Sequence, residues 1–242
     1  MILVKAKYLI QNPGKCIENG AVVIEGTKIL RVGTFDEIEA LAGIDKVIDL
    51  GNAVILPGLV NIHAHLDLTH LHNCIKPTNN FTHWVFQLLG ARIRWKEADY
   101  TASIEKGMRL CVEAGTTTVA DIANTGYSFS VLKKGPLRKI VYKEIIDLNP
   151  DHANDVITKI QSELSVYESD GLLRSGLSPH APYSVSKELY QAVVQYASRT
   201  GMPVCTHIAE TPDEIEFLTH GTGNIPAFLR QLRAMPVQWQ PP

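Results

Sequence analysis

Pro57-Gly58-Leu59-Val60-Asn61-Ile62-His63-Ala64-His65, led by the apolar Val54-Ile55-Leu56, has the composition of a buried parallel strand punctuated at its entry by Pro57-Gly58. Alternate residues of a strand face the same side with Cα atoms about 6.5 to 7 Å apart, so His63 and His65 can reach one cation between them. Two neighbouring histidines among nine also arise without function, so the pair acquires meaning only from its surroundings.

Outward from this stretch the chain changes texture. Residues 1 to 56 carry short β-branched runs, Ile2 to Ile10, Gly20 to Glu25, Lys28 to Val32 and Lys46 to Leu50, broken by turn formers such as Asn12-Pro13-Gly14 and Gly26-Thr27. Val22 to Ile29 reads as a hairpin, and Phe35 to Leu41 as one short helix. From Pro57 onward strand and helix patterns alternate, which predicts a parallel α/β architecture over 57–242 beside a small β domain over 1–56. Helices are predicted over Phe81 to Trp95, Ala98 to Ala114, Asp151 to Ser169, Ser186 to Thr200, Pro212 to His220 and, more briefly, Ala227 to Ala234. Strands are predicted over Thr117 to Ile122, Leu137 to Leu148, Leu172 to Ser178 and Pro203 to His207.

Histidines then recur at the ends of strands. Ser178-Pro179-His180-Ala181-Pro182-Tyr183-Ser184 comes after one, and Thr206-His207-Ile208-Ala209-Glu210 ends another. In a parallel barrel the carboxyl ends of the strands converge on one face, which carries the active site. On that placement His207 joins His63 and His65 as a metal-ligand candidate, rather than a core histidine. Imidazoles with a nearby carboxylate suit zinc first, with iron or manganese as alternatives, and do not suit calcium or magnesium. Glu210 is placed to move a proton between water and a leaving group, the simpler alternative being a helix-start carboxylate. His180 is a candidate for orienting substrate, against ordinary packing between prolines.

A net charge of −2 with well-mixed signs argues against a nucleic-acid or membrane-surface partner and leaves a small molecule as the expected ligand. Four dispersed cysteines without a Cys-x-x-Cys pair fit a reducing compartment. With no leader-like start and no apolar run of about 20 residues, the expectation is a cytoplasmic protein.

Taken in order, the Pro57 to Thr69 motif, Gly115-Thr-Thr-Thr-Val-Ala-Asp121, the His180 motif and His207-Ile-Ala-Glu-Thr211 resemble the amidohydrolase superfamily, nearest to the branch of cytosine, guanine and adenosine-type deaminases and triazine chlorohydrolases. The resemblance implies a metal-dependent (β/α)8 TIM barrel beside a small β-sandwich built from both chain ends. It implies His63, His65 and His207 as metal ligands, Glu210 as proton shuttle and His180 as a substrate contact. Leu66-Asp-Leu-Thr69 and Phe81-x-x-Trp84 are similar to aminodeoxyfutalosine deaminases of menaquinone synthesis, which makes Phe81 and Trp84 substrate-binding candidates. Packing of a helix by Phe81, Trp84 and Phe86 is the alternative role. Lys143 and Glu144 read either as ligands of the kind binuclear relatives use or as a structural ion pair.

The resemblance also calls for a histidine after a sixth strand and an aspartate after an eighth, neither of which comes after His207. The expected architecture is therefore a barrel truncated after about five strands, an N-terminal portion whose last stretch, Pro236 to Pro242, reads as a linker. The expected activity is hydrolysis of a non-peptide carbon–nitrogen bond in an aminated purine-like heterocycle. The alternative is a catalytically inactive chain that binds a partner. A homo-oligomer or a complementary C-terminal chain are the expected protein partners.

Overall fold

The computed structural model describes residues 1–41, 43–167 and 169–235, so the linker reading of 236–242 lies outside the described residues. The chain divides into two compact units, Met1–Leu59 and Val60–Pro242.

In the first unit, β1 (Ile2–Asn12), β2 (Lys15–Glu25) and β3 (Lys28–Thr34) form an antiparallel meander. Next come a single-turn helix α1 (Phe35–Ile38) and the short strands β4 (Lys46–Asp49) and β5 (Val54–Ile55), both parallel to β1. The predicted hairpin closes at Glu25 opposite Lys28. Alternation along β1 and β2 buries Leu3, Ala21 and Val23 against Ile38. Helix α1 is shorter than predicted but has a complete capping box, Thr34 Oγ1 accepting from Glu37 N–H and Glu37 Oε2 accepting from Thr34 N–H. Of the β-sandwich that the resemblance implies, the described residues form one five-stranded sheet.

The second unit is α/β. Its sheet runs in the order β6 (Leu59–Ala64), β7 (Thr116–Ala123), β8 (Arg138–Ile145), β9 (Leu173–Pro179), the last three paired in parallel. Helices α2 (Phe81–Ala91) and α3 (Glu97–Glu113) separate β6 from β7, α4 (Tyr127–Lys133) separates β7 from β8, and α5 (Ala153–Ser165) separates β8 from β9. Helices α6 (Lys187–Thr200), α7 (Pro212–His220) and α8 (Asn224–Gln231) come last. Ile104, Val119, Leu132, Val141, Leu173, Leu177, Leu189 and Val193 make the main core between sheet and helices. A second cluster, Tyr183, Phe217, Ile225, Phe228 and Leu229, packs with Phe81 and Val85 where α2, α7 and α8 meet.

Three expectations are corrected. Val54-Ile55 and Leu59 to Ile62 are not one strand: Val54–Ile55 pairs with β1, whereas β6 joins β7, and Pro57, lacking an N–H, separates them. Nor is β6 buried, because it is the outermost strand of its sheet among the described residues, with Ile62 81% exposed. The predicted strand Pro203 to His207 is reduced to a single bridge, Val204 to Leu177, held by Leu177 N–H to Pro203 O and Cys205 N–H to Leu177 O. Helices start and stop near the predicted points, with Ser186 and Thr211 capping α6 and α7 and Gly201 ending α6 in the left-handed conformation. Between the predicted strands Thr117 to Ile122 and Leu137 to Leu148, where no element is predicted, the chain forms α4, and α8 begins three residues before the predicted Ala227.

Helix α3 rests on the 3-10 segment Leu66–Leu71 at Gly107, where an added Cβ would lie 2.4 Å from Thr69 Oγ1 and 3.0 Å from Leu66 Cδ2. Alanine in a helix normally gains about 1 kcal/mol over glycine. Here overpacking costs about 1–3 kcal/mol and outweighs that gain. Gly107→Ala is expected to lower the urea unfolding midpoint, and Thr69→Ala in the same chain to restore part of the loss.

Candidate metal centre

The site is assembled from residues at and just beyond the ends of the strands. His63 lies within β6 and His65 one residue beyond it, on the same face by strand alternation. The chain then turns sharply and is tied down: Leu66 N–H donates to Asp121 Oδ1 at the end of β7 (2.8 Å), and Leu66 O accepts from Ser103 Oγ of α3 (3.2 Å). These bonds fix the direction in which His65 leaves the strand. His180 sits immediately past β9, and its carbonyl accepts from the His207 N–H (2.8 Å) and from His207 Nδ1 (3.2 Å). A carbonyl only accepts, so His207 Nδ1 carries the proton and Nε2 keeps its lone pair.

One nitrogen each of His63, His65 and His207 lie within 4.8 Å of one another, close enough for a single ion between them. Their ring centroids are 5.2 Å (His63–His65), 4.9 Å (His63–His207) and 5.5 Å (His65–His207) apart. Burial holds His65 down at a pKa of about 4, with the neighbouring imidazoles adding to the effect and Glu144 opposing it. Burial also lowers His63, helped by His207. Both are thus neutral at pH 7, the state in which an imidazole is a ligand. The donor set fits a borderline divalent cation, and the hydrogen-bonded Nδ1 of His207 is the outer support such ligands use.

His180 stands beside this group, 5.0 Å from His207 by ring centroids. Its Nδ1 is engaged by Ser184 Oγ at 2.6 Å, which leaves Nε2 as the ring nitrogen available to a ligand. Burial lowers its pKa to about 4. Glu210, three residues past His207, accepts a hydrogen bond from Tyr183 Oη at 2.7 Å. His65, His180, Tyr183, His207 and Glu210 line one cavity of about 1060 Å³. It also takes in Asp67, Asn124, Glu144 and, on its apolar side, Phe81, Trp84 and Phe228. Phe81 and Trp84 stack (6.2 Å, 20°) along this wall, while Phe86 packs edge-on against Phe228. Cavity lining and helix packing are thus divided among the aromatics of α2.

Lys143 and Glu144 do not pair with each other. Lys143 Nζ reaches Glu163 Oε2 at 3.3 Å, and Glu144 Oε2 accepts from Asn124 Nδ2 at 2.9 Å. Alternation along β8 accounts for this, since consecutive residues point to opposite faces.

Sequence reasoning misses Tyr183, Asp67, Asn124 and Glu214. Asp67 and Glu214 are fully buried carboxyls, each with one oxygen lacking a hydrogen-bond partner among the described residues. A carboxyl in an apolar run, such as Asp67 between Leu66 and Leu68, is the signal that the sequence offers.

Three imidazoles gathered at one end of a parallel α/β unit make a candidate metal centre, and residues 54–231 match the amidohydrolase family model. The chain belongs to the amidohydrolase family. It is 28% identical to a 5-methylthioadenosine/S-adenosylhomocysteine deaminase of Carboxydothermus hydrogenoformans, the match covering 93% of this chain and 52% of the relative. Its fold is similar to that of Helicobacter pylori aminofutalosine deaminase in complex with methylthio-coformycin, with a TM-score of 0.83 at 23% identity over 100% of this chain and 59% of that one. An adenosine deaminase from Xanthomonas campestris with bound zinc superposes with a TM-score of 0.76 at 22% identity, over 96% of this chain and 55% of that one. The chain spans about half the length of the curated relatives it matches. Among the described residues no helix is long and apolar enough to cross a membrane.

Purified chain loaded with zinc is expected to retain near-stoichiometric metal after gel filtration, and the His63→Ala/His65→Ala chain to retain none, as read by elemental analysis. A second expectation concerns Asp121 and Asp67, whose pKa values burial raises to about 6 and about 7, the Asp121 charge adding to the effect on Asp67. Both lie above the unfolded value of about 3.9, so the folded state binds more protons between roughly pH 4 and pH 7. Stability from these groups therefore falls as pH rises through that window. Asp121→Asn is expected to flatten the decline in melting temperature of the metal-free chain between pH 4 and pH 7.

Proposed function

We propose that this chain carries a metal-dependent hydrolytic site that deaminates an aminated purine-like heterocycle of the adenosine type. The observation that carries the reading is the convergence of His63, His65 and His207 to within 4.8 Å, beside His180 and Glu210. The deaminase names of the relatives and the family membership support the same chemistry.

His63, His65 and His207 would hold the ion, zinc first and iron or manganese next by the chemistry of three imidazoles. A divalent cation bound there supplies acidity to water, lowering its pKa towards about 7. Glu210 takes a proton from the attacking water as its oxygen bonds to the ring carbon, and passes that proton to the amino nitrogen. The carbon–nitrogen bond then breaks and ammonia leaves. His180, kept neutral by burial, contacts the ring through its free Nε2. Phe81 and Trp84 offer the heterocycle and its substituents an apolar wall.

Ammonia release from a panel of aminated purines, pterins and pyrimidines tests this reading. Adenosine-type compounds are expected to react, and Glu210→Gln to lower kcat by about 10²–10⁴-fold, the usual range for losing a general acid–base. Release unchanged in Glu210→Gln would overturn the assignment.

A further inference from the structure

Glu210 is held from two sides by groups that the proton transfer itself does not use. Tyr183 Oη donates to Glu210 Oε1 at 2.7 Å. The phenol is only 5% exposed, with its ring edge-on to Phe81 (5.9 Å) and to His180 (5.6 Å), so its own position is fixed by packing. On the backbone side, Glu210 N–H donates to Glu214 Oε2 at 2.9 Å. Glu214 is fully buried at the third position of α7, whose cap is Thr211. In an ordinary capping box this glutamate would reach back to the cap's own N–H. Here it reaches one residue further, to Glu210, whose N–H directly follows Ala209 at φ 55°. A left-handed alanine is held by its surroundings, and the Glu214 bond is one of the contacts that hold it.

We propose that Tyr183 and Glu214 are positioning residues that present Glu210 to the His63, His65 and His207 group with Oε1 pinned and Oε2 left to carry the proton. The proposal rests on the reading of Glu210 as the proton carrier. Its chemical content is selection of one carboxylate oxygen. A charged carboxylate accepting a phenolic hydrogen bond has one oxygen committed, and its other oxygen is left for exchange with water and the leaving nitrogen. Of the other titratable groups, His63 and His180 feel the Glu210 charge, and Glu214 and Glu144 act on Tyr183. Burial, together with the bond to Glu210, raises Tyr183 well above the ordinary phenol range, so the phenol stays protonated and remains the donor.

Tyr183→Phe removes only the hydroxyl and keeps the ring that packs on Phe81 and His180, so the fold is retained. The test compares the zinc-loaded wild-type chain with Tyr183→Phe, Glu214→Gln and Glu214→Leu. Carbon-13 glutamate labelling follows the Glu210 carboxyl, its signal assigned by its loss in Glu210→Gln. Without the phenol, the proton affinity of Glu210 is expected to rise about tenfold, the scale of one strong hydrogen bond to a carboxylate. Under turnover, kcat is expected to fall about 10–100-fold with KM changed less than about twofold, the pattern of an interaction used in the transition state. Glu214→Leu is expected to lose kcat as Tyr183→Phe does, and Glu214→Gln, which keeps an acceptor for the Glu210 N–H, to recover part of that loss. A Glu210 titration identical in wild type and Tyr183→Phe overturns the proposal, whatever the turnover. A shifted titration in a chain that releases no ammonia from any panel compound leaves the positioning intact and overturns the deaminase reading instead.

Discussion

The carbonyl oxygen of His180 accepts from both the backbone N–H and the ring Nδ1 of His207. That shared acceptor joins the segment after β9 to the segment after the Val204 bridge, where a full strand pairing is absent from the described residues. It decides the tautomer of His207 and sets its ring at the right distance from His63 and His65. Without it, the bridge at Val204 alone would have to place a ligand that lies beyond its own short ladder. Hydrogen bonds of this kind contribute only about 1 kcal/mol each to stability, so their larger role is geometric.

Beneath the histidines lies a layer of buried acid groups. Asp121 holds the Leu66 N–H and Asp67 lies close enough to feel its charge, while the half-buried Glu144 acts on Asp67 from β8. Burying carboxyls is unfavourable, and the chain tolerates it by shifting two of them towards the neutral form. The cost is local to the turn that aims His65, while the hydrophobic core between sheet and helices supplies the stability that absorbs it.

Much of this architecture is legible in the residues. Strand and helix periods, the capping residues Ser186 and Thr211 and the stop at Gly201 all have local causes, so they are read locally. His63, His65 and His180 stand at or just past strand ends, and His207 and Glu210 follow the Val204 bridge, so each sits in a motif that is read locally. What escapes is anything set by partners distant in sequence. Leu59, Val60 and Ile62 look like core residues, yet their exposure depends on which strands flank β6. Pro203 to His207 has strand composition, but a strand needs a ladder, and among the described residues its one bridge is Val204 to Leu177. Tyr183 and Glu210 are separated by the whole of α6, and no periodicity links them. The segment Tyr127–Lys133 is hidden because its serines weaken a helical pattern that packing of Phe129 and Leu132 into the core then enforces.

Ala209 gives this arrangement an unusual mutational profile. A left-handed non-glycine residue costs about 1 kcal/mol or more, so glycine at this position would relieve strain in the folded chain. The same change would free the two-residue link between His207 and Glu210 to sample other directions. Selection for thermal resistance alone would therefore tend to admit glycine, whereas selection for a fixed ligand-to-acid spacing would favour retaining alanine. Branched residues such as valine would be disfavoured under either regime, which makes position 209 a place where the two pressures can be told apart.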